Sequence, residues 1–488
     1  MTRPSNVVFV VLDTARASDA PPVREETMPT LAELAAEGTA YEHAFACAPW
    51  SVPSHASLFT GAYPSRHGAH GDHTYLDEGH RTVAESFADS GYETIGVSNN
   101  TWITEEFGFA RGFDSFWKGW QYWQSDADMG TVARADQPRE KLRRAANNLF
   151  DGNPAVNAAN IAYSELLQPA GDDGAARTTD RIESWLDDRD ADRPFFAFVN
   201  YLEPHIDYRP PEAYAERFLP AGASFEEAVE LRQDPRAYDV GEYDLTDREF
   251  RLLYGLYRGE LAYVDEQLDR LRTALADAGE WEDTLLVVCG DHGENVGDHG
   301  FLGHQYNLYD TLLHVPLVCH GGAFTGGAGN ADALVQLSDL VPTLLDAAGI
   351  DDPTLREQCQ GPSFHPEADA EERDAVYAEY VAPQPSMERL EERFDGIPES
   401  VREYDRSLRA IRTREYKLIR GSDGLEELYD VVEDPGERTD LSATHRDRVT
   451  ALGERLESWH GSFEHAEADG EVEVDADTER RLESLGYM

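Results

Sequence analysis

Four side chains in this chain have the types and settings of a hydrolytic centre: Asp13, Ser51, Asp291 and His292. Asp13 closes the apolar run Asn6 to Leu12 (NVVFVVL), and Asp291-His292 follow a second run, TLLVVCG. Ser51 stands before a stretch, Pro53 to Phe59, with the character of a helix. An acid at a strand end is commonly a turn former or a helix cap. In a parallel sheet, however, the carboxyl ends of the strands also line the ligand crevice. Two carboxylates, an imidazole and a hydroxyl arriving there from distant parts of the chain make a ligand set for one divalent cation. Mostly oxygen donors suit Ca²⁺, Mg²⁺ or Mn²⁺, and the histidine admits Zn²⁺.

The elements that must position these groups follow from hydrophobic pattern. An unbroken apolar run such as Asn6 to Leu12 fits a strand buried on both faces. Thr39 to Ala46, Thr94 to Ser98, Pro194 to Tyr201, Thr284 to Cys289 and Val315 to Cys319 are further strand candidates. Helical spacing covers Met28 to Glu37, stopped by Gly38, Asp247 to Ala278, stopped by Gly279, and Leu337 to Ala348. Alternating strands and helices predict an α/β protein with a mainly parallel sheet covered on both sides. From Ala375 the pattern changes. Strands at Val376 to Tyr380, Leu408 to Thr413 and Tyr416 to Arg420, extended by Glu427 to Tyr429, predict a small antiparallel sheet closed by a helix, Arg446 to Trp459. Met387 to Arg406 between them reads as a charged helix or loop. The expected division is a catalytic domain over residues 1–374, with an insertion at 119–173, a C-terminal subdomain over 375–463, and an acidic linker and tail over 464–488.

Bulk properties narrow the function. The 488 residues carry 95 acidic and 42 basic side chains, a net charge of −53, spread along the chain rather than gathered in a tail. Such a surface fits solvation in concentrated salt, where the Debye length falls to about 3 Å at 1 M, and is read as the signature of a salt-in halophile. It offers no basic footprint for nucleic acid. Cys47, Cys289, Cys319 and Cys359 are far apart and form no C-x-x-C pair, which predicts reduced thiols. No apolar stretch approaches a membrane span, and Met1 to Ser5 lead directly into a strand, so a soluble cytoplasmic protein is expected.

Ser51-Val52-Pro53-Ser54-His55-Ala56-Ser57-Leu58-Phe59-Thr60-Gly61 resembles the sulfatase signature C/S-x-P-S-R-x-x-L-x-T-G, and Tyr63-Pro64-Ser65-Arg66-His67-Gly68 continues in the same style. V-V-L-D at Val10 to Asp13 resembles the family's first metal motif, Gly290-Asp291-His292-Gly293-Glu294 its second, and Glu203-Pro204-His205 its P-H element. Tyr263-Val264-Asp265-Glu266-Gln267, Asp339-Leu340-Val341-Pro342-Thr343 and Glu427-Leu428-Tyr429-Asp430 follow in the family's order, so the resemblance spans nearly the whole chain. It implies the alkaline-phosphatase type of α/β fold and metal-dependent hydrolysis of sulfate esters, on a small-molecule or glycan substrate, with Asp13, Ser51, Asp291 and His292 around one divalent ion.

The chain departs from the family at several points. The signature arginine is His55, the second acid of the first motif is Thr14, and Gly96-Val97-Ser98-Asn99-Asn100-Thr101 stands where the family has a lysine-bearing element. A late lysine is also replaced, with His304 or Gln305 nearby. Modifying enzymes need the signature arginine, so His55 argues against formylglycine at Ser51. An unmodified serine beside a cation is a competent nucleophile at phosphorus. A phosphodiesterase or phosphotransferase acting on a phosphate ester is therefore the alternative, and a catalytically silent binding protein on the same fold is the third reading. Within the hydrolase reading, Ser51 attacks and His205 protonates the leaving group or binds an oxyanion. His55, His304 and Asn100 supply oxyanion contacts, and Arg16 holds Asp13 or the substrate. The cluster His67, His70, His73 is read as a loop at the rim rather than a metal site.

Overall fold

The structure, a computed structural model, describes residues 5–119, 171–189, 192–327, 329 and 331–466. The predicted insertion falls largely outside these residues, as does most of the acidic linker and tail. The apolar run Asn6–Leu12 is strand β1, buried at every position. Its alternate residues divide cleanly. Val7, Phe9 and Val11 join one hydrophobic cluster, whereas Val8, Val10 and Leu12 join another on the opposite face. This is the period-two division expected of a central strand with helices on both sides.

The main sheet contains, besides β1, β2 (Thr39–Ala40), β4 (Glu93–Ser98), β5 (Ser115–Lys118), β6 (Phe195–Tyr201), β7 (Thr284–Gly290) and β10 (Leu317–His320), in the spatial order β2-β10-β7-β1-β6-β4-β5. The pairs β7/β1, β1/β6, β6/β4 and β4/β5 are parallel. At the far edge β10 runs antiparallel to β7, and β2 antiparallel to β10. The helices Pro29–Glu37 and Asp247–Asp277 contribute Leu31, Leu34, Leu256 and Leu268 to one face. The helices Ser51–Thr60 and Leu340–Ala348 contribute Leu58, Phe59, Val341 and Leu344 to the other. Thr246 opens the 31-residue helix with a capping box, its hydroxyl accepting from Glu249 N while Glu249 reaches back to Thr246 N.

Two strand boundaries differ from the sequence expectation. Thr39 to Ala46 is not one strand. Exposed Glu42 turns the chain, so Thr39–Ala40 edges the main sheet while β3 (His43–Phe45) pairs with β11 (Leu334–Gln336) in a separate ladder. The strand expected at Val315 begins only at Leu317, because Pro316 has no N–H for a ladder. Met387 to Arg406 resolves into two short helices, Met387–Phe394 and Glu399–Arg402. A two-stranded ladder, β8 (Asn295–Val296) and β9 (Leu302–Gly303), follows the β7 strand end.

β12 (Val376–Tyr380), β13 (Leu408–Arg412), β14 (Tyr416–Gly421) and β15 (Glu426–Asp430) form the expected antiparallel C-terminal sheet in simple meander order. Helix Arg446–His460 lays Val449, Leu452 and Leu456 on Ile411, Leu418 and Leu428. Fully buried Lys417 ties this sheet to the chain after β9. Its ammonium lies 2.7 Å from both Asp310 Oδ1 and Glu437 Oε1. All four cysteines are free, and no described helix is long and apolar enough to cross a membrane.

Candidate active site

Strand register alone brings the two acids together. β1 and β7 are parallel neighbours with Leu12 opposite Gly290, so the next residues, Asp13 and Asp291, leave the sheet side by side. Asp13 N donates to Tyr201 O (3.0 Å), which continues the β1–β6 ladder one step beyond the strand. Thr14 then turns sharply in the left-handed region, with φ of 61°, a conformation unfavourable for a β-branched residue. Its N–H donates to Asp291 Oδ1 (3.1 Å) and its carbonyl accepts from the Tyr257 hydroxyl (2.9 Å), and these bonds hold the turn.

Ser51 is the first residue of helix Ser51–Thr60 and is buried, as is the whole helix. Gly61 ends that helix at φ 70°, where a Cβ would lie 2.6 Å from Cys359 Sγ, so only glycine allows this close docking. The Ser51 hydroxyl lies 3.3 Å from His292 Nε2 and accepts from Asn100 Nδ2 at 3.0 Å. The same Asn100 amide donates to Asp13 Oδ2 at 2.5 Å, and its Oδ1 accepts from Trp102 N. Asn100 is itself held by Asn200 at the end of β6, whose Oδ1 accepts from Asn100 N at 3.1 Å.

Asp13, Asp291 and His292 each offer a ligand atom within 4.8 Å of the others, and all three are fully buried. Among the described residues this is the one such group of histidine, cysteine and acid. Asp13 Oδ1 and Asp291 Oδ2 accept no hydrogen bond there, although buried carboxylate oxygens are normally satisfied. Burial, followed by the Asp291 charge, raises the Asp13 carboxyl well above the ordinary aspartate value. Burial pushes Asp291 up to about 6. His292 is lowered to about 3 by burial and then by His304, and its Nδ1–H donates to Gly293 O (2.9 Å), so Nε2 carries the lone pair. Two electron-rich orphan oxygens and one imidazole lone pair in a shared sphere are a donor set that a divalent cation fits.

The other predicted residues are placed as follows. His55 Nδ1 donates to Ser51 O (2.9 Å), one turn back, and lies 3.3 Å from Asp291 Oδ2. Burial lowers its pKa, so a neutral ring stands where the signature has arginine. His205 and His304 form a chain of rings with His292, centroids 5.2 Å apart for His205–His304 and 4.7 Å for His292–His304. The His205 Nδ1 bonds the Ile206 carbonyl, and burial lowers both His205 and His304 to about 3. Arg16 does not turn to Asp13. Its guanidinium is bound by Asp298 (2.8 Å), Glu294 O (3.2 Å) and the Tyr254 hydroxyl. His70 and His73 pair with each other across a turn, while His67 Nε2 lies 3.2 Å from the Ser57 hydroxyl, so the three share no metal sphere.

Sequence reasoning gave no role to two groups that organise the site. Glu294, fully buried, accepts from His304 Nδ1 (2.9 Å) and from Ile206 N (3.4 Å), the residue after His205. Its place three residues after Asp291 in the same motif was the available signal. Asn200 had none, because an asparagine at a strand end is indistinguishable from a turn former.

A mostly parallel sheet with these groups at its strand ends and an antiparallel C-terminal sheet define the class: a sulfatase-like α/β hydrolase. The chain belongs to the sulfatase family, whose description "Sulfatase" matches residues 5–350; a second, "N-sulphoglucosamine sulphohydrolase, C-terminal", matches residues 297–460. It is similar to an arylsulfatase of Clostridium perfringens, 23% identical over 92% of each chain. It is also similar to a choline-sulfatase of Rhizobium meliloti, 25% identical over 86% of this chain and 78% of that one. The structure of a phosphonate monoester hydrolase of Agrobacterium radiobacter shares the fold, with a TM-score of 0.65 and 23% identity over 94% of this chain and 96% of that one.

Proposed function

We propose that the protein hydrolyses sulfate esters with Ser51 as nucleophile, and that Asp13, Asp291 and His292, with the Ser51 hydroxyl, hold one divalent cation. The observation that carries this is the Ser51 hydroxyl set between Asn100 Nδ2 and His292 Nε2, beside two buried carboxylate oxygens that accept no hydrogen bond. When bound, the cation supplies Lewis acidity at the reacting oxygens. Asn100 donates to the serine oxygen, which leaves the hydroxyl proton free to point away from it and fixes the lone pair that attacks. The Ser51 Oγ–S bond forms and the bond from sulfur to the alcohol oxygen breaks. The serine proton ends on the departing alcohol, and water regenerates the hydroxyl with release of sulfate. His205, with Nδ1 tied to the Ile206 carbonyl, is the candidate for protonating the departing alcohol or binding an oxyanion. His304, oriented by Glu294, and the His55-anchored first turn of the Ser51 helix keep the oxyanion side in register. Arg16 is read here as a structural cation rather than a substrate ligand.

One observation favours a second reading, transfer or hydrolysis at phosphorus by unmodified Ser51. The partner of the Ser51 turn is a neutral His55, not a guanidinium, so the recognition feature for oxidation of the serine is missing. The acidic surface fits work in concentrated salt and a cytoplasmic setting. The test is a paired assay on an aryl sulfate and a bis-aryl phosphate in multimolar KCl, with mass analysis of the Ser51 peptide. Aryl sulfate turnover that falls at least about a thousandfold in Ser51→Ala and disappears with chelator supports the first reading. An unmodified serine with phosphodiester turnover alone replaces it with the second. Neither activity, together with no calorimetric binding of Mg²⁺, Ca²⁺ or Mn²⁺, leaves a binding protein.

A further inference from the structure

We propose that a cleft between the N-terminal part of helix Asp247–Asp277 and the segment at Phe218 binds a tetrahedral oxyanion, sulfate or phosphate, outside the catalytic centre. The cleft has a volume of about 380 Å³ and is lined by Arg16, Arg24, Arg251 and Arg258, with Asp19 as its one acid. In a chain of 95 acids and 42 basic residues, four guanidinium groups on one concave surface run against the overall charge. The helix makes this possible by spacing: residues 251, 254, 255 and 258 fall on one face at intervals of three and four. Gly255 lets the opposite wall approach, since a Cβ there would lie 2.9 Å from Leu219 Cδ2 and 3.1 Å from Phe218 O.

The four cations face three acids, Asp19 inside the lining and Asp298 and Glu26 outside it, so Arg251 is the cation in excess. Buried Asp19 faces three of them, with Arg258 Nε at 2.8 Å, Arg16 Nε at 3.6 Å and Arg24 Nε at 3.7 Å. The additional partners of Arg16 and Arg24, Asp298 and Glu26, lie outside the lining. Arg251 is exposed and makes none of the ion pairs found among the described residues. The guanidinium groups of Arg16 and Arg258 both stack on the Tyr254 ring, 5.4 and 5.3 Å from its centroid, which holds their planes in place. Preorganised guanidinium forks match the edges of a tetrahedral oxyanion, and Phe218 and Pro220 add an apolar wall. The cleft is also one contact from the catalytic turn, because the Tyr257 hydroxyl accepts from Arg16 N (3.0 Å) and donates to Thr14 O.

The test is calorimetric titration of inorganic sulfate, and separately inorganic phosphate, into the full chain at fixed KCl. The wild type is compared with Arg251→Ala, Arg251→Glu, Ser51→Ala and Arg248→Ala, the last removing a nearby cation that pairs with Glu227. Expected is saturable binding with one or both anions that survives Ser51→Ala, chelation of divalent ions and Arg248→Ala. It should weaken about tenfold in Arg251→Ala and vanish in Arg251→Glu. The proposal is overturned by the absence of saturable binding, by equal losses in Arg248→Ala and Arg251→Ala, or by binding that disappears with Ser51→Ala or chelator. Because the readout is binding rather than turnover, it stands or falls independently of the proposed reaction.

Discussion

Replacing Asp291 by Asn should stabilise the metal-free protein while destroying its response to cations. Burial raises the folded-state pKa of Asp291 from 3.8 to about 6. For an acid whose pKa is raised on folding, the folded state binds the proton more tightly than the unfolded chain. Its stabilising contribution is therefore complete below the unfolded value and is lost as pH rises through the folded one. At about 1.36 kcal/mol per pH unit, the rise to about 6 makes the ionised carboxylate an expense of up to about 3 kcal/mol at pH 8. Asparagine keeps an oxygen for the Thr14 and His292 N–H groups, which now meet Asp291 Oδ1 at 3.1 and 2.8 Å. Its amide can donate to His292 Nε2, which stands 3.4 Å from Asp291 Oδ2. In chelator at pH 8 the variant should therefore melt above the wild type, and the gap should close toward pH 4.5. With Mg²⁺ or Ca²⁺ at a hundred times its dissociation constant, the wild type gains about 2.7 kcal/mol and the variant little, so the order reverses. Thermal melts at both pH values, with and without cation, in one KCl concentration, read all four corners. A variant that melts below the wild type in chelator by a pH-independent margin, or that retains the cation response, would refute the electrostatic account of the site.

Lys417→Met removes the ammonium between Asp310 and Glu437 and should lower stability by about 3–5 kcal/mol, read from the urea midpoint, because Glu437 is left buried without a counter-charge and Asp310 keeps only Arg412 at 3.3 Å. Thr14→Asp places a third carboxylate at a left-handed position that aspartate tolerates better than threonine. It should tighten cation binding in calorimetry and lower the melting temperature in chelator. Glu294→Gln weakens the anchor on His304 and should reduce kcat about tenfold or more with KM little changed in steady-state assays.

The β1 and β7 strands, the helices at Pro29, Asp247 and Arg446 and the antiparallel C-terminal sheet were legible in the sequence. Each depends on a local pattern, such as a continuous apolar run, helical spacing or a terminal glycine. The placing of Asp13, Asp291 and His292 just past strand ends, and of Ser51 at a helix start, was legible for a related reason: polar groups there stand out against apolar runs. Less local features did not show. The break at Glu42 depends on two different partner strands, and the antiparallel course of β10 depends on which edge it joins.

By itself, then, the sequence determined the class of fold, through periodicity and spacing along the chain, and the family, through the resemblance of its motifs. Tertiary structure alone decided the partners. The Leu12–Gly290 register sets Asp13 beside Asp291 across 278 residues, Asn100 bridges Asp13 and Ser51, Glu294 orients His304, and Arg16 turns away to Asp298. Such pairings are settled by packing between elements far apart in the chain, where a side chain goes to whichever charge or hydrogen-bonding group the fold brings within a few ångströms, and no local pattern encodes that choice.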